Sequence, residues 1–412
     1  MGRTATSKPL NWAQRRDLTI IALPTFGLAL ASTIVTTYMP VMLNELSGPM
    51  VTGLLIGCEG LFGILLPLAI GSWSDSLRTR FGGRVPFVLA AAPCMVLALA
   101  LMPFMEALAP LVLLLAVFFA AYFAYYTPYR AVYPDVVPGE VAGRSQGVQK
   151  TLREAGLGLA LVSGGFLLAL WRPAPFLLAA AIVGASTIGF AVWIVRSRRT
   201  EPPSNGQTSV RERVDSLRDL LHEHPVVRWV VVGNALWEGT IAALKTFVVL
   251  FLTVGLGRSA EMASGVLGVV ALLAVIGALA GGALSDRLGA VRLMRLAVWV
   301  YAVGALVPVF VHSLIAMIAV VPVAVAAAVV MTLPYALLIE AAPETDHGLT
   351  AGLFDTSRGF GSLVGPIMAG VAITTLEPVF HGTDGYAAMF LVVSVFCFAS
   401  LIPLSRLRRL AP

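Results

Sequence analysis

The chain is divided into apolar runs of roughly 20–28 residues by short polar connections, and that run length restricts its fold more than any other feature. A helix rises about 1.5 Å per residue, so roughly 20 apolar residues cross about 30 Å of hydrocarbon. In lipid only helices and closed barrels satisfy their own backbone groups, and barrel strands are alternating segments of about ten residues. The runs here are longer and do not alternate. They predict an all-α membrane protein with helices at 18–43, 50–73, 86–105, 109–133, 145–171, 174–196, 226–254, 262–284, 291–312, 314–340, 348–375 and 385–405. Composition agrees: 58% of residues are hydrophobic and 12% charged, against about 25% charged in soluble domains. The solvent for most of this surface is the lipid bilayer.

Basic residues stay on the cytoplasmic side of a membrane and so set orientation. With both termini inside, the inner segments hold 23 of the 28 lysines and arginines, while the outer loops hold only Arg172 and Arg258. Arg130, Lys245 and Arg358 lie within spans. The basic residues are spread over many loops rather than gathered in one stripe, which argues against a nucleic-acid partner. The first apolar run is too long for a signal-peptide core and is expected to remain as a span. Cys58, Cys94 and Cys397 all sit in apolar runs, and the five histidines are scattered, so no metal site is expected. No phosphate-cradling loop occurs, and no cofactor is implied.

The longest polar stretch, Arg196 to Pro225, bisects the chain. Within it Val214, Leu217 and Leu221 recur at helical spacing, predicting a short amphipathic helix in a cytoplasmic linker. The expected organisation is a six-helix bundle over 1–196, a linker over 197–225 and a second six-helix bundle over 226–412.

The halves repeat each other. "GSWSDSLRTRFGGRVP" (71–86) and "GALSDRLGAVR" (282–292) share Gly71/Gly282 and Asp75/Asp286 at a separation of 211 residues. Pro128 and Tyr129 align with Pro334 and Tyr335 at 206, and Pro138, Gly147 and Arg153 with Pro343, Gly352 and Arg358 at 205. Parallel six-helix repeats flanking a central site are the architecture of the major facilitator superfamily. "GALSDRLGAVR" resembles its cytoplasmic signature, Gly-x-x-x-Asp-x-x-Gly followed by a basic residue. "GSWSDSLRTRFGGRVP" and "PYRAVYPDVVP" resemble the glycoside–pentoside–hexuronide and sucrose-transporter branch. Two departures bear on that branch: Phe119 stands where sucrose transporters carry a buried aspartate, and "IGCEGLFG" has one acid where melibiose-type carriers have a pair.

Ionisable groups inside a bilayer are costly and therefore functional candidates. Glu59 falls roughly 14 Å into the second span, and Glu238 roughly 18 Å into the seventh; both are candidates for proton coupling or for structural hydrogen bonds. Asn234 and Trp237 neighbour Glu238 as candidate solute contacts. Lys245 either snorkels to the outer interface or pairs with Glu238. The branch resemblance implies that Arg130 contacts a sugar or acts as a gate, with Asp135 as its inner-face partner, and that Arg153 serves substrate or coupling, an inner salt-bridge lock being the rival. Tyr122, Tyr125, Tyr126 and Tyr129 recur at helical spacing, either as packing or as rings and hydroxyls for a pyranose. The cytoplasmic gate is assigned to Gly71, Asp75, Arg84, Asp135, Asp286, Asp355 and Arg358, with Arg358 and Asp355 on one helix face as a lock.

These readings lead to a secondary active transporter, not an enzyme, working as a monomer in the bacterial-type inner membrane and importing a sugar-like solute with protons. Efflux of an amphipathic drug is the alternative. Drug antiporters of the superfamily usually carry Gly-Pro in the fifth span, whereas here Gly365 and Pro366 fall in the eleventh. A transporter-derived receptor is the remote alternative.

Overall fold

A computed structural model describes residues 12–77, 79, 83–136, 142–197, 210–311, 316–341 and 347–410. Among these residues the chain is helical, without strands. The longest helix, α1 (Trp12–Ser76), has 65 residues, several times what one crossing needs. It breaks at Gly48, with φ 74° and ψ 175°. Pro49 follows, and a proline disfavours the helical conformation in the residue before it. Two limbs result, 12–47 and 49–76, each long enough to cross. Only glycine holds a positive φ without strain, so Gly48→Ala is expected to lower stability by about 1 kcal/mol, read as a lower melting temperature of the purified protein.

The remaining helices are α2 (Val85–Leu101), α3 (Leu108–Val136), α4 (Ala142–Leu170), α5 (Ala174–Ser197), α6 (Val210–Glu223), α7 (Pro225–Leu250), α8 (Ala260–Leu288), α9 (Ala290–Phe310), α10 (Ala316–Ala341), α11 (His347–Leu376) and α12 (Ala388–Leu410). All but α6 are long and apolar enough to span a bilayer. Counting α1 twice gives twelve crossings. An even number puts the start of α1 and the end of α12 on one side, here the terminal face; the other side is the opposite face. The expected span boundaries hold to within a few residues, except that a single residue, Gly48, separates the first two helices.

The first six crossings pack on each other through α1 with α4 and α5 and α2 with α3 and α5; the last six pack through α7 with α11 and α12, α9 with α12, and α10 with α8 and α9. Between the two sets the second limb of α1 lies on α11, and α4 lies on α8. Gly53, Gly57 and Gly60 share one face of α1, spaced by four and three residues. A side chain on any of them would run into the α11 backbone at Pro366, Leu363 or Gly359, and Gly370 of α11 likewise abuts Pro49 and Met50. Missing Cβ atoms let the two backbones touch.

A second contact joins the halves beside α8. The Gly165 amide donates to Ser264 Oγ (2.6 Å), Ser264 Oγ and Tyr38 Oη are 3.0 Å apart, and Tyr38 donates to the Leu161 carbonyl (2.9 Å). Every polar group is used, so the contact can form away from water at no net loss of hydrogen bonds. These junctions lie in the half of the interface toward the opposite face. Toward the terminal face, α3 and α11 are linked by Arg130 and Asp355, whose side chains are still 48% and 46% exposed. The interface is tight at one end and accessible at the other.

The amphipathic helix α6 rests against α7, α11 and α1. Leu217 and Leu221 pack as expected, and Leu220, which the spacing argument omitted, is the buried one at 4% exposure; the Val214 side chain is outside the described residues.

Candidate functional site

The tyrosines of α3 divide by helical period. Tyr122, Tyr126 and Arg130 are four residues apart, about 40° per step, and share one face. Tyr125 and Tyr129 share another. On the first face the Tyr122 and Tyr126 rings stack with centroids 5.6 Å apart and planes 12° apart, and the Arg130 guanidinium lies 5.4 Å from the Tyr126 centroid. Tyr125 and Tyr129 are sealed within the first six crossings. Tyr125 pairs with Thr187 (3.0 Å), while Tyr129 donates to the Ile21 carbonyl (2.6 Å) and lies 2.9 Å from the Thr25 hydroxyl. Only half of the expected aromatic stripe faces the interface between halves.

Around Tyr122 and Tyr126 the structure gathers the charges that the sequence scatters over five spans. Arg130 donates to Asp355 Oδ2 at 2.8 Å across the halves. Arg358 and Glu238 approach to 3.6 Å, with the Glu238 side chain only 15% exposed. Glu59 has the Ser32 hydroxyl beside it and lies within electrostatic reach of Lys245, Arg358 and Glu238. Arg153 comes within reach of Tyr122, Tyr126 and Lys245. Glu59, Tyr122, Tyr126, Arg153, Lys245 and Arg358 are all half-buried, surrounded by protein yet touched by solvent. Such groups line a recess that water enters.

Of three expected pairings, one is corrected, that of Arg358. Arg130 meets Asp355 of the other half; the side chain of Asp135, its expected partner, lies outside the described residues. Arg358 meets Glu238 of α7 rather than Asp355, because Asp355 is drawn across to α3. Lys245, expected either to snorkel or to pair with Glu238, lies within electrostatic reach of Glu59 and Glu238.

Asn234 and Trp237 face the packing of the last six crossings: Asn234 donates to Ser357 Oγ (2.8 Å) and Trp237 to Ser400 Oγ (2.8 Å), both buried. Two elements, the cross-half Ser264 network and Ser32 beside Glu59 within α1, had no motif to announce them. The α1 glycine stripe did have a signal, since three glycines at helical spacing mark a close approach.

The described bond of the charged connection at 71–86 stays within the first six crossings. Arg84 donates to the Ala131 carbonyl of α3 at 2.8 Å, and Trp73 meets Phe87 edge-on with centroids 4.9 Å apart. Gly83 abuts the Ser74 and Leu77 carbonyls, where a side chain would not fit. This part of the connection therefore brackets α1, α2 and α3. Gly71 is half-buried in α1; the side chain of Asp75, with all of Arg78 and Arg80, lies outside the described residues. Asp286 is exposed, with no ion pair among the described residues.

The two charge pairs differ in worth. A pair as exposed as Arg130–Asp355 contributes about 0–1 kcal/mol. Asp355→Asn is therefore expected to change melting temperature by no more than a degree or two. Glu238 is the more buried carboxylate of the two pairs, so Arg358→Gln is expected to lower the melting temperature more than Asp355→Asn, in the same measurement.

The sequence matches the Major Facilitator Superfamily over residues 21–298 and 240–412. The chain belongs to that superfamily. No curated protein matches it. Among solved structures, a bacterial homolog of the human lysosomal transporter Spinster, in an inward-facing and unoccupied conformation, has a TM-score of 0.77 at 16% identity, covering 97% of this chain and 98% of that one. The nucleoside transporter NupG has a TM-score of 0.73 at 11% identity, covering 95% and 98%. The peptide transporter POT in complex with sulfate has a TM-score of 0.71 at 13% identity, covering 97% and 97%. At these identities the likeness is one of fold. This member of the superfamily is a multi-pass membrane protein with the transporter fold.

Proposed function

We propose that this chain is a proton-coupled secondary transporter that imports a small, ring-bearing, sugar-like solute across the cytoplasmic membrane as a monomer. The arginine-rich loops support a cytoplasmic terminal face. The opposite face then looks outward, and the arrangement described above is sealed outside and accessible inside, like the inward-facing Spinster homolog. The nucleoside and peptide transporters among its neighbours show that the fold does not select the solute. Its sugar-like character is supported by the motif resemblance at 71–86 and 128–138 and by the flat Tyr122–Tyr126 surface with polar groups around it.

The observation that carries the coupling is the placement of Glu59. It stands on the first half, beside Ser32, facing Lys245 and Glu238 of α7, Arg358 of α11 and Tyr122 of α3, without a direct ion pair among the described residues. At an effective dielectric of about 20, opposite unit charges a few ångströms apart attract by about 2–4 kcal/mol. Protonating Glu59 cancels its attraction to Lys245 across the halves, and that change biases one arrangement of the halves over the other. The test is solute addition to right-side-out vesicles, screening sugars against amphipathic drugs while following external pH. Solute-driven alkalinisation is expected with a sugar-like compound; drug counterflow independent of any sugar would overturn the import reading.

A further inference from the structure

The recess holds four cations, Arg130, Arg153, Lys245 and Arg358, and three carboxylates, Glu59, Glu238 and Asp355. Arg130 is taken by Asp355 and Arg358 by Glu238. Lys245 faces Glu59. Arg153 makes no ion pair among the described residues, yet it is half-buried beside the stacked pair Tyr122 and Tyr126 and within reach of Lys245.

Water entering from the terminal face compensates Arg153 in the arrangement described here. A transport cycle also passes through a state sealed at both ends, where that water is largely lost and a lone buried cation becomes costly. A neutral solute leaves the surplus charge in place; an anionic solute reduces it. Guanidinium groups bind planar carboxylates and phosphates through two parallel N–H bonds, so the residue type suits the task. The stacked Tyr122 and Tyr126 rings, their planes parallel to within 12° and ended by Arg130, offer an aromatic face next to that cation.

We infer that the transported solute is a small organic anion carrying a ring, its carboxylate or phosphate held by Arg153 and its ring laid against Tyr122 and Tyr126. The inference rests on the transporter reading and narrows its solute. It also gives the coupling a sign: protonating Glu59 removes a negative charge from the recess and strengthens anion binding, so proton and anion travel together.

The test is equilibrium binding to the full chain in lipid nanodiscs, with glucose, glucuronate, glucose 6-phosphate and benzoate as probes. At least one anion is expected to bind tenfold or more tightly than glucose, more tightly at pH 5.5 than at pH 8. Glucuronate or benzoate against glucose 6-phosphate separates a carboxylate from a phosphate. Arg153→Gln should lose the anion preference by tenfold or more with an unchanged melting temperature in the absence of probe, and Arg153→Lys, which keeps the charge but not the two-pronged donor, should keep only part of it. Glucose bound as tightly as every anion, or undiminished anion affinity in Arg153→Gln, overturns the inference, and the wild-type comparison decides even if that variant does not fold. Because no gradient is applied, anion binding without solute-driven proton movement would sink the transport reading and leave the anion site standing.

Discussion

Valine in place of Gly60 is expected to abolish transport while leaving a folded, membrane-inserted protein. Its Cβ would meet the Gly359 carbonyl and the Leu363 backbone of α11, and backbone atoms have no rotamer by which to move aside. Overpacking of this kind costs about 1–3 kcal/mol. The cost falls only on the arrangement in which the second limb of α1 and α11 are pressed together, so it shifts the balance of states by roughly ten- to a hundredfold. Packing within each half is untouched, because Gly60 faces the other half. A cysteine at Ala260, where α8 meets Gly165, reports the opening when Cys58, Cys94 and Cys397 have been replaced. An impermeant thiol reagent applied to the opposite face should label it at least tenfold faster in the Gly60→Val background. Gly265→Val, on α8 with open space around it, serves as the control and should leave the labelling rate unchanged. A wild-type rate in Gly60→Val would show that the glycine stripe does not close that face.

Glu59→Gln is expected to have the second large effect, uncoupling the transporter rather than inactivating it. Glutamine keeps the shape and can still bond to Ser32, but it neither carries a proton nor attracts Lys245. The attraction of about 2–4 kcal/mol that holds the two side chains' helices together in the charged state is lost. Solute-driven pH change in vesicles should disappear, while exchange of labelled for unlabelled solute, which needs no net proton movement, continues. Unchanged proton movement in the variant would remove Glu59 from the coupling.

The spans were legible because their length and apolarity are local properties set by the thickness of a bilayer. The break at Gly48 was less so: helix resumes directly after one residue of positive φ, which a hydropathy pattern does not resolve. In the recess, Glu59, Glu238, Arg130, Arg153 and Arg358 announced themselves as charges in apolar surroundings. Their partners did not, since Asp355 reaches Arg130 from 225 residues away and only the fold decides that it prefers α3 to its own helix neighbour. The tyrosine stripe contained its own division, because a 3.6-residue period separates 122 and 126 from 125 and 129. Which pair faced the recess depended on where α1 and α5 pack, and in a helix apolar on all sides the sequence carries no mark of it. Asn234 and Trp237 illustrate the same limit: polar atoms inside a span find partners in Ser357 and Ser400 as readily as in a solute.

The central claim is that the halves pivot about the Glu59–Lys245 recess, opening one face as the other closes. Spin-label distances between the halves, measured on one preparation with one pair at the opposite face (Ser47 to Val379) and one at the terminal face (Arg84 to Arg292), test it directly. Adding a bound solute at low pH should lengthen the first distance and shorten the second together. Two distances that move in the same direction, or a second that changes while the first stays fixed, would contradict it.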